Sequence, residues 1–517
     1  MPRINLMPSY SEDSALQFNA TTCKNINPVL NSTDGGKGKI KLRSVYGYEP
    51  LSTFSGDGVT SYGGVYVVSP NKYSDKERCF FSTYLLGTSS PNFKISELLS
   101  NGNIVDLYTT TLTSAIGQAK FCDNGEVLNI VSGSKSYFYN LDTGAFNEIT
   151  DPDFPSSVVD VVFKDTYFVW LDSDTNSFYI SDNYATDPTD CVNALDFTTI
   201  ESNPDNVVSL SAIGNEVAVF GDKTIEFYYN SGNVDFPFER NSGATIEIGT
   251  KDRFSNVKVG GDVYFIGSDY QGSRSVYVLS GYQIKKISDD TIDAAIERRK
   301  SDSLGGALIA SAIREGDSLF YCINHVEGGG PSSSSSLFYN INLGLWHERE
   351  SIRDDNPLDK SYGGEFYINF AGKNLMFKKK PIDFSAPDQT FKINEQKKDH
   401  YYFTDSEDRE INRLITLPHI AVENKNIQIN YFEMDVQKGV GNVDDPDPEI
   451  RLYISRDGGM TYGNPISMKM GASGSYKQRV RADMLGMGRD FVFKLESDSP
   501  VQQEWFTAYI DYEVMSE

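Results

Sequence analysis

Histidine, cysteine and tryptophan are scarce: four, five and three in 517 residues. His325, His347, His400 and His419 show neither HxxxH nor HExxH spacing, so no metal centre is expected. Cys23, Cys79, Cys122, Cys191 and Cys322 are odd in number, scattered, and never spaced CxxC. That argues against a disulfide framework, and reduced, packed thiols are expected. No stretch approaches the roughly 18 to 20 continuous apolar residues of a membrane span. No apolar segment follows Arg3, so no secretory signal is expected and a cytosolic place of assembly is. Positive charge is also short. Against 72 acidic residues stand 47 basic ones, a formal net charge of -25. A protein that grips nucleic acid by neutralising phosphates needs the opposite balance. There is no GxSxG elbow, and the paired glycines at Gly63-Gly64 and Gly260-Gly261 are not followed by Lys-Ser/Thr, which leaves no phosphate cradle. No cofactor is expected.

What is present is aromatic and glycine-rich: 31 Tyr, 31 Phe and 43 Gly. Such a composition favours strands and tight turns, so the fold class is all-β. The length implies two or three domains.

The middle of the chain repeats. SYFYNLDTGAFNEI (136–149) and LFYNINLGLWHERE (337–350) align Phe138-Tyr139-Asn140 with Phe338-Tyr339-Asn340, Gly144 with Gly344, Phe146 with Trp346 and Glu148 with Glu348. Each reads as a hairpin, with Asn and Gly in the turn. Weaker copies begin at Val158, Val207, Phe254 and Leu308, and further ones lie near 63 and 363. Three or four strands per unit at this spacing predict a β-propeller of about five to seven blades over 61–405. A single helix is expected within 288–302, capped by Ser288 or Asp290 and burying Ile292, Ala295 and Ile296. Five alternating strands after about 405 predict a β-sandwich over 406–517. Residues 1–60 lack periodicity and are read as an extended arm held by partners.

Candidate chemistry is thin. Asp151 with Asp153, and the acidic run Asp444 to Glu449, read as solvated loops because they lack the alternation and Gly of a calcium loop. The lysines Lys373, Lys378, Lys379, Lys380, Lys392, Lys397 and Lys398 form the sole basic cluster. The most suggestive stretch is YISRDGGMTYGN (453–464), close to the Asp-box of sialidases. Ser455, Asp457, Gly458, Gly459, Thr461 and Tyr462 read as a structural turn motif, in which the Asp side chain and glycines fold a hairpin over the aromatic ring. A single box outside the repeats does not supply the arginine cluster and Tyr-Glu pair of a sialidase. The expectation is therefore no catalytic residue and no enzyme.

Two stretches resemble one known family. Residues 202–296 carry Phe220, Gly221, Thr224, Glu226, Tyr228, Asn230 and Gly232, then Phe-Pro-Phe at 236–238 and Gly281-Tyr282 before Ile287-Ser288. Residues 432–501 carry Gly439-Val440-Gly441, Ser455 to Tyr462, Arg479, Gly486 and Arg489-Asp490. Both are similar to the packaged-DNA stabilisation proteins of short-tailed podovirus-type phages, also called tail nozzle, accessory or hub proteins; Tyr462 stands where that family usually has Trp. The resemblance implies a structural virion protein, a homo-hexamer forming a tube below the portal-adaptor ring. The tube would retain the packaged genome, let double-stranded DNA pass without specific contact, and carry needle, spike or fibre proteins. The competing expectation is a receptor- or glycan-binding propeller of the virion, with or without glycosidase activity.

Overall fold

The computed structural model describes residues 19–30, 40–54, 59–86, 92–111, 118–200, 205–268, 272–327, 335–350, 364–378, 388–394, 399–402, 407–423 and 425–515, with short pieces at 3–4, 6 and 11–12. Among these residues seven groups of antiparallel strands form seven propeller blades. Blade 1 runs from Val59–Val68 to Ile104–Thr111, and blade 2 from Ala119–Asp123 to Phe146–Glu148. Blade 3 runs from Val158–Lys164 to Phe197–Thr199, and blade 4 from Val207–Ile213 to Phe238–Arg240. Blade 5 is built on Asp262–Ser268, and blade 6 runs from Ser303–Glu315 to Leu345–Arg349. Blade 7 takes Gly364–Phe370, Lys373–Lys378 and Asp388–Asn394, and its fourth strand is Gly47–Phe54 from the start of the chain.

The repeat expected from the sequence has a visible cause. In blade 2 the Asn140 side-chain oxygen accepts the Asp142 and Thr143 amides at 3.0 and 2.8 Å, and Gly144 closes the turn at φ 73°. Asn340 does the same for Asn342 and Leu343 in blade 6, with Gly344 at φ 70°. The two hairpins occupy the same place in their blades, pairing Tyr139 with Phe146 and Tyr339 with Trp346.

Each blade is apolar on both faces, so the cores lie between blades. Phe80, Phe93 and Ile95 of blade 1 pack on Leu128 and Tyr137 of blade 2. Phe138 and Phe168 join blades 2 and 3, Phe178 and Tyr228 join 3 and 4, and Phe220 and Phe265 join 4 and 5. Phe338 and Tyr367 join 6 and 7. Tyr62 and Phe377 meet edge-on at 5.3 Å and close the ring between blades 7 and 1. Each such fully buried aromatic contributes about 1.5–3 kcal/mol. The helix Asp290–Asp302 fills the gap between blades 5 and 6 with fully buried Ile292, Ala295 and Ile296. Its cap differs from the expected Ser288 or Asp290: Asp289 accepts the Ile292 amide at 2.9 Å, while the Ser288 hydroxyl donates to Asp293. Asp289 sits one position before the first helical turn, where its carboxylate meets an unpaired N–H.

The sandwich contains all five expected strands, with core residues such as Phe432, Leu452, Phe493 and Trp505 between its sheets. Residues 1–60 are not the arm the sequence suggested, because their described strands pair within the chain. Ala20–Lys24 joins one sandwich sheet beside Arg413–Thr416, and Ile26–Leu30 and Ile40–Ser44 join the other beside Glu504–Val514. Ala20–Lys24 and Ile26–Leu30 are five residues long and mostly buried, so they carry no alternation to read. Lys24 also pairs with Glu348 of blade 6, so one sheet of eleven strands runs from the propeller into the sandwich.

Candidate functional site

The Asp-box stretch follows the sandwich strand Glu449–Ser455. The Ser455 hydroxyl donates to Asp457 at 2.6 Å and accepts the Gly459 amide at 2.8 Å. Asp457 also accepts the Thr461 amide at 2.9 Å and its hydroxyl at 2.5 Å. Gly458 and Gly459 turn at φ 69° and 89°, the left-handed region that favours glycine. Lys494 lies over the Tyr462 ring at 4.7 Å. The Ser455 hydroxyl first, then Thr461, hold the exposed Asp457 carboxyl down at about 2. A carboxylate so occupied is ionised at neutral pH and has no proton to give, which unfits it as a general acid. All its hydrogen bonds stay within the turn.

A cavity of about 610 Å³ lies on the propeller axis, lined by inner-strand residues of all seven blades. Lys120 of blade 2 reaches across it, donating to the Arg253 carbonyl at 2.9 Å with Phe254 below its ammonium at 5.1 Å. Asp160 stands 3.9 Å away, but its carboxylate already accepts the Val161 amide, the Ser209 hydroxyl and the Leu210 amide at 2.7–2.9 Å. Burial pulls Lys120 below the ordinary lysine value; Asp160 opposes the shift and Arg253 adds to it. The volume suits a small molecule, not a duplex.

The third built polar region is the seam between the domains. Arg349 and Glu315 form a fully buried two-pronged pair at 2.7 and 2.8 Å, with Phe338 3.9 Å beneath the guanidinium. Beside it, fully buried Arg299 donates to Ser335 and Glu348, and Lys24 reaches Glu348 at 3.7 Å and Glu350 at 3.0 Å. Burial raises the Glu348 carboxyl, but Lys24 and Arg299 with Ser335 outweigh it and hold it below the usual glutamate value. Asn25, at φ 54°, turns the chain from one sandwich sheet to the other. Its amide donates to the Glu350 and Asn412 carbonyls at 2.8 and 2.9 Å and accepts the Glu350 amide at 3.0 Å. Sequence reasoning missed this seam, since Lys24 and Asn25 lie more than 300 positions from the partners they meet there.

The remaining candidates do not converge. His347 is buried beside Arg349, and His419 contacts Asp490 at 2.9 Å. The His325 and His400 side chains fall outside the described residues, as do those of Lys378, Lys379, Lys380, Lys397 and Lys398. Lys373 donates to the Ser100 carbonyl and Lys392 faces Glu49 at 3.6 Å. Asp151 is a loop staple that accepts the Asp153, Cys191 and Val192 amides at 2.6–2.9 Å. Among the described residues no group of three His, Cys, Asp or Glu is placed to hold a metal ion.

Residues 95–324 match the family described as Bacteriophage P22 Gp10, beta-propeller, and residues 412–513 match the one described as Bacteriophage P22 Gp10, beta-sandwich. The chain belongs to this phage stabilisation family. Like the family, it places a propeller before a sandwich, and it is a structural tail protein of the podovirus type. No curated protein matches the chain. Among solved structures, the extracellular domain of BT4673 from B. thetaiotaomicron is 8% identical over 67% of this chain, with a TM-score of 0.41. The chain spans 40% of the length of that domain. The computationally designed Ika8 protein is 9% identical over 66% of this chain and 98% of its own, with a TM-score of 0.31. Neither likeness is strong enough to bear on this phage stabilisation protein.

Proposed function

We propose that six copies of this tail protein form a tube below the portal-adaptor ring. The tube retains the packaged genome, carries the needle, spike or fibre proteins, and serves as the exit path for DNA. The observation that carries this reading is the match of both domains, in order, to one phage stabilisation family. Two features support it. The axial cavity of the propeller is crossed by Lys120 and has no room for a duplex, so the DNA path belongs between copies. Six copies, each with a formal charge of -25, give the tube -150, and an acidic bore offers phosphates no place to stall. The Asp-box turn satisfies its own carboxylate and gives the glycan-cleaving alternative no support.

The test is cryo-electron microscopy of the source particle. Six copies around an axial channel under the adaptor ring are expected. A peripheral position facing the medium would overturn the tube and favour receptor binding.

A further inference from the structure

The sandwich has a free tip that is unusual in three respects. Met460, Met484 and Met487 are all exposed there, Met484 at 92%. Arg456, at the base of the Asp-box turn that carries Met460, donates to the Leu485 carbonyl at 2.6 Å and packs on Gly486, which brings that turn against the strand carrying Met484 and Met487. Met484 sits at φ 58°, a left-handed conformation costly for a side chain of this size, where the strand Val480–Gly488 bulges from its partner. Strain that presents an apolar side chain to water is a mark of a functional site. Arg489, at the same tip, has no carboxylate partner among the described residues. Exposed methionine with arginine is the composition of protein interfaces rather than of ordinary surface.

The tip points away from the propeller. Asp490 begins the strand whose other end, Ser497, pairs with Arg413 near the blade 6 seam. Seven residues of strand separate them, about 23 Å.

An acidic surface that offers Arg489 a partner lies elsewhere on the chain. Between blades 3 and 4 lies a cavity of about 530 Å³ lined by Asp165, Asp182, Asp196 and Asp235, with no basic residue in its wall. Asp165 is matched by Lys164, and Asn193 holds Asp182 and Asp196, but the Asp235 carboxylate has no partner among the described residues. Val234 stands at its edge 96% exposed, and Leu195 nearby is 83% exposed. Blades 3 and 4 lie three and two positions round the seven-blade ring from blade 6.

We infer that the methionine tip of one copy seats in the acidic cavity between blades 3 and 4 of the next copy, with Arg489 facing Asp235. This rests on the tube reading above and names its contact. The two faces differ and lie on distant sides of one subunit, which is the geometry of a head-to-tail contact that repeats until a ring closes.

The test places Met487→Cys and Val234→Cys in one chain. All five native cysteines are buried, so these two are the accessible thiols among the described residues. Mild oxidation of assembled tails should give a ladder of covalent multimers ending at the ring size, absent from either single variant. If tails assemble with the normal copy number yet the double variant yields no multimers, this contact is overturned and the tube stands. If the unmodified chain is not found in a ring, the tube itself fails. Arg489→Glu should lower incorporation into tails at least tenfold, and adding Asp235→Lys should restore it; failure of that rescue in variants that fold normally would also overturn the contact.

Discussion

Asn25 ties three segments together, and replacing it should loosen the joint between propeller and sandwich. Asn25→Ala removes three hydrogen bonds, to the Glu350 carbonyl, the Glu350 amide and the Asn412 carbonyl. At about 1 kcal/mol each they amount to about 3 kcal/mol. Alanine at φ 54° adds about 1 kcal/mol of backbone cost. Local opening of Ala20–Lys24 should therefore become about 4 kcal/mol easier, roughly a thousandfold. Amide hydrogen exchange of this segment in the native protein reads that change directly, without assuming that 517 residues unfold in one step. Asn25→Gly loses the same bonds but tolerates the backbone, so its exchange should lie about fivefold below that of Asn25→Ala. Equal rates in the two variants would refute the backbone argument. Acceleration below about fivefold in both would refute the claim that Asn25 holds the seam.

Other outcomes follow from the same geometry. Asp457→Asn should speed exchange through 455–462 and leave any sugar release by the tail unchanged; loss of such release with an intact loop would reverse the turn reading. Glu348 is held below its ordinary value near 4.5, so its contribution to the seam is complete above that pH and fades as pH falls through the lower folded value. Protection of Ala20–Lys24 should thus drop below pH 4.5 in the native chain, whereas Glu348→Gln should start lower and stay flat across that range. Gly64→Ala drives a methyl group into the Ala119 carbonyl and the Phe121 ring, and should lower thermal stability by about 1–3 kcal/mol through the contact of blades 1 and 2. In phage carrying amides in place of carboxylates that face the bore, DNA release measured by dye fluorescence should slow or stop, and an unchanged rate would count against an acidic path.

The blades were legible because each turn writes its own signature. Asn140 with Gly144 and Asn340 with Gly344 recur since the same hydrogen bonds are made in blades 2 and 6. The sandwich strands were legible where one face is buried and the other wet, as in Ile427–Val436. Closure of blade 7 was not. Gly47–Phe54 finds its partner Asp388–Asn394 across most of the chain, and no local pattern announces a pairing at that separation. The seam was hidden for the same reason, and also because its polar residues sit inside short strands where apolar periodicity is the usual guide. Around Asp457, Ser455 and Thr461 stand at the spacing that its two oxygens require.

The strand that completes the propeller is made before the other strands of that ring and pairs with the last of them. Gly47–Phe54 waits for Asp388–Asn394, and Ile40–Ser44 waits for Glu504–Val514 near the other end of the chain. At bacterial speeds of about 5–20 residues per second, the wait for blade 7 is on the order of twenty seconds to a minute. Throughout that interval Gly47–Phe54 has no strand partner, and the face of blade 1 that later packs on blade 7 is uncovered. A nascent chain of this design is open to wrong partners until translation is nearly over, and a single early truncation would leave both domains unfinished at once.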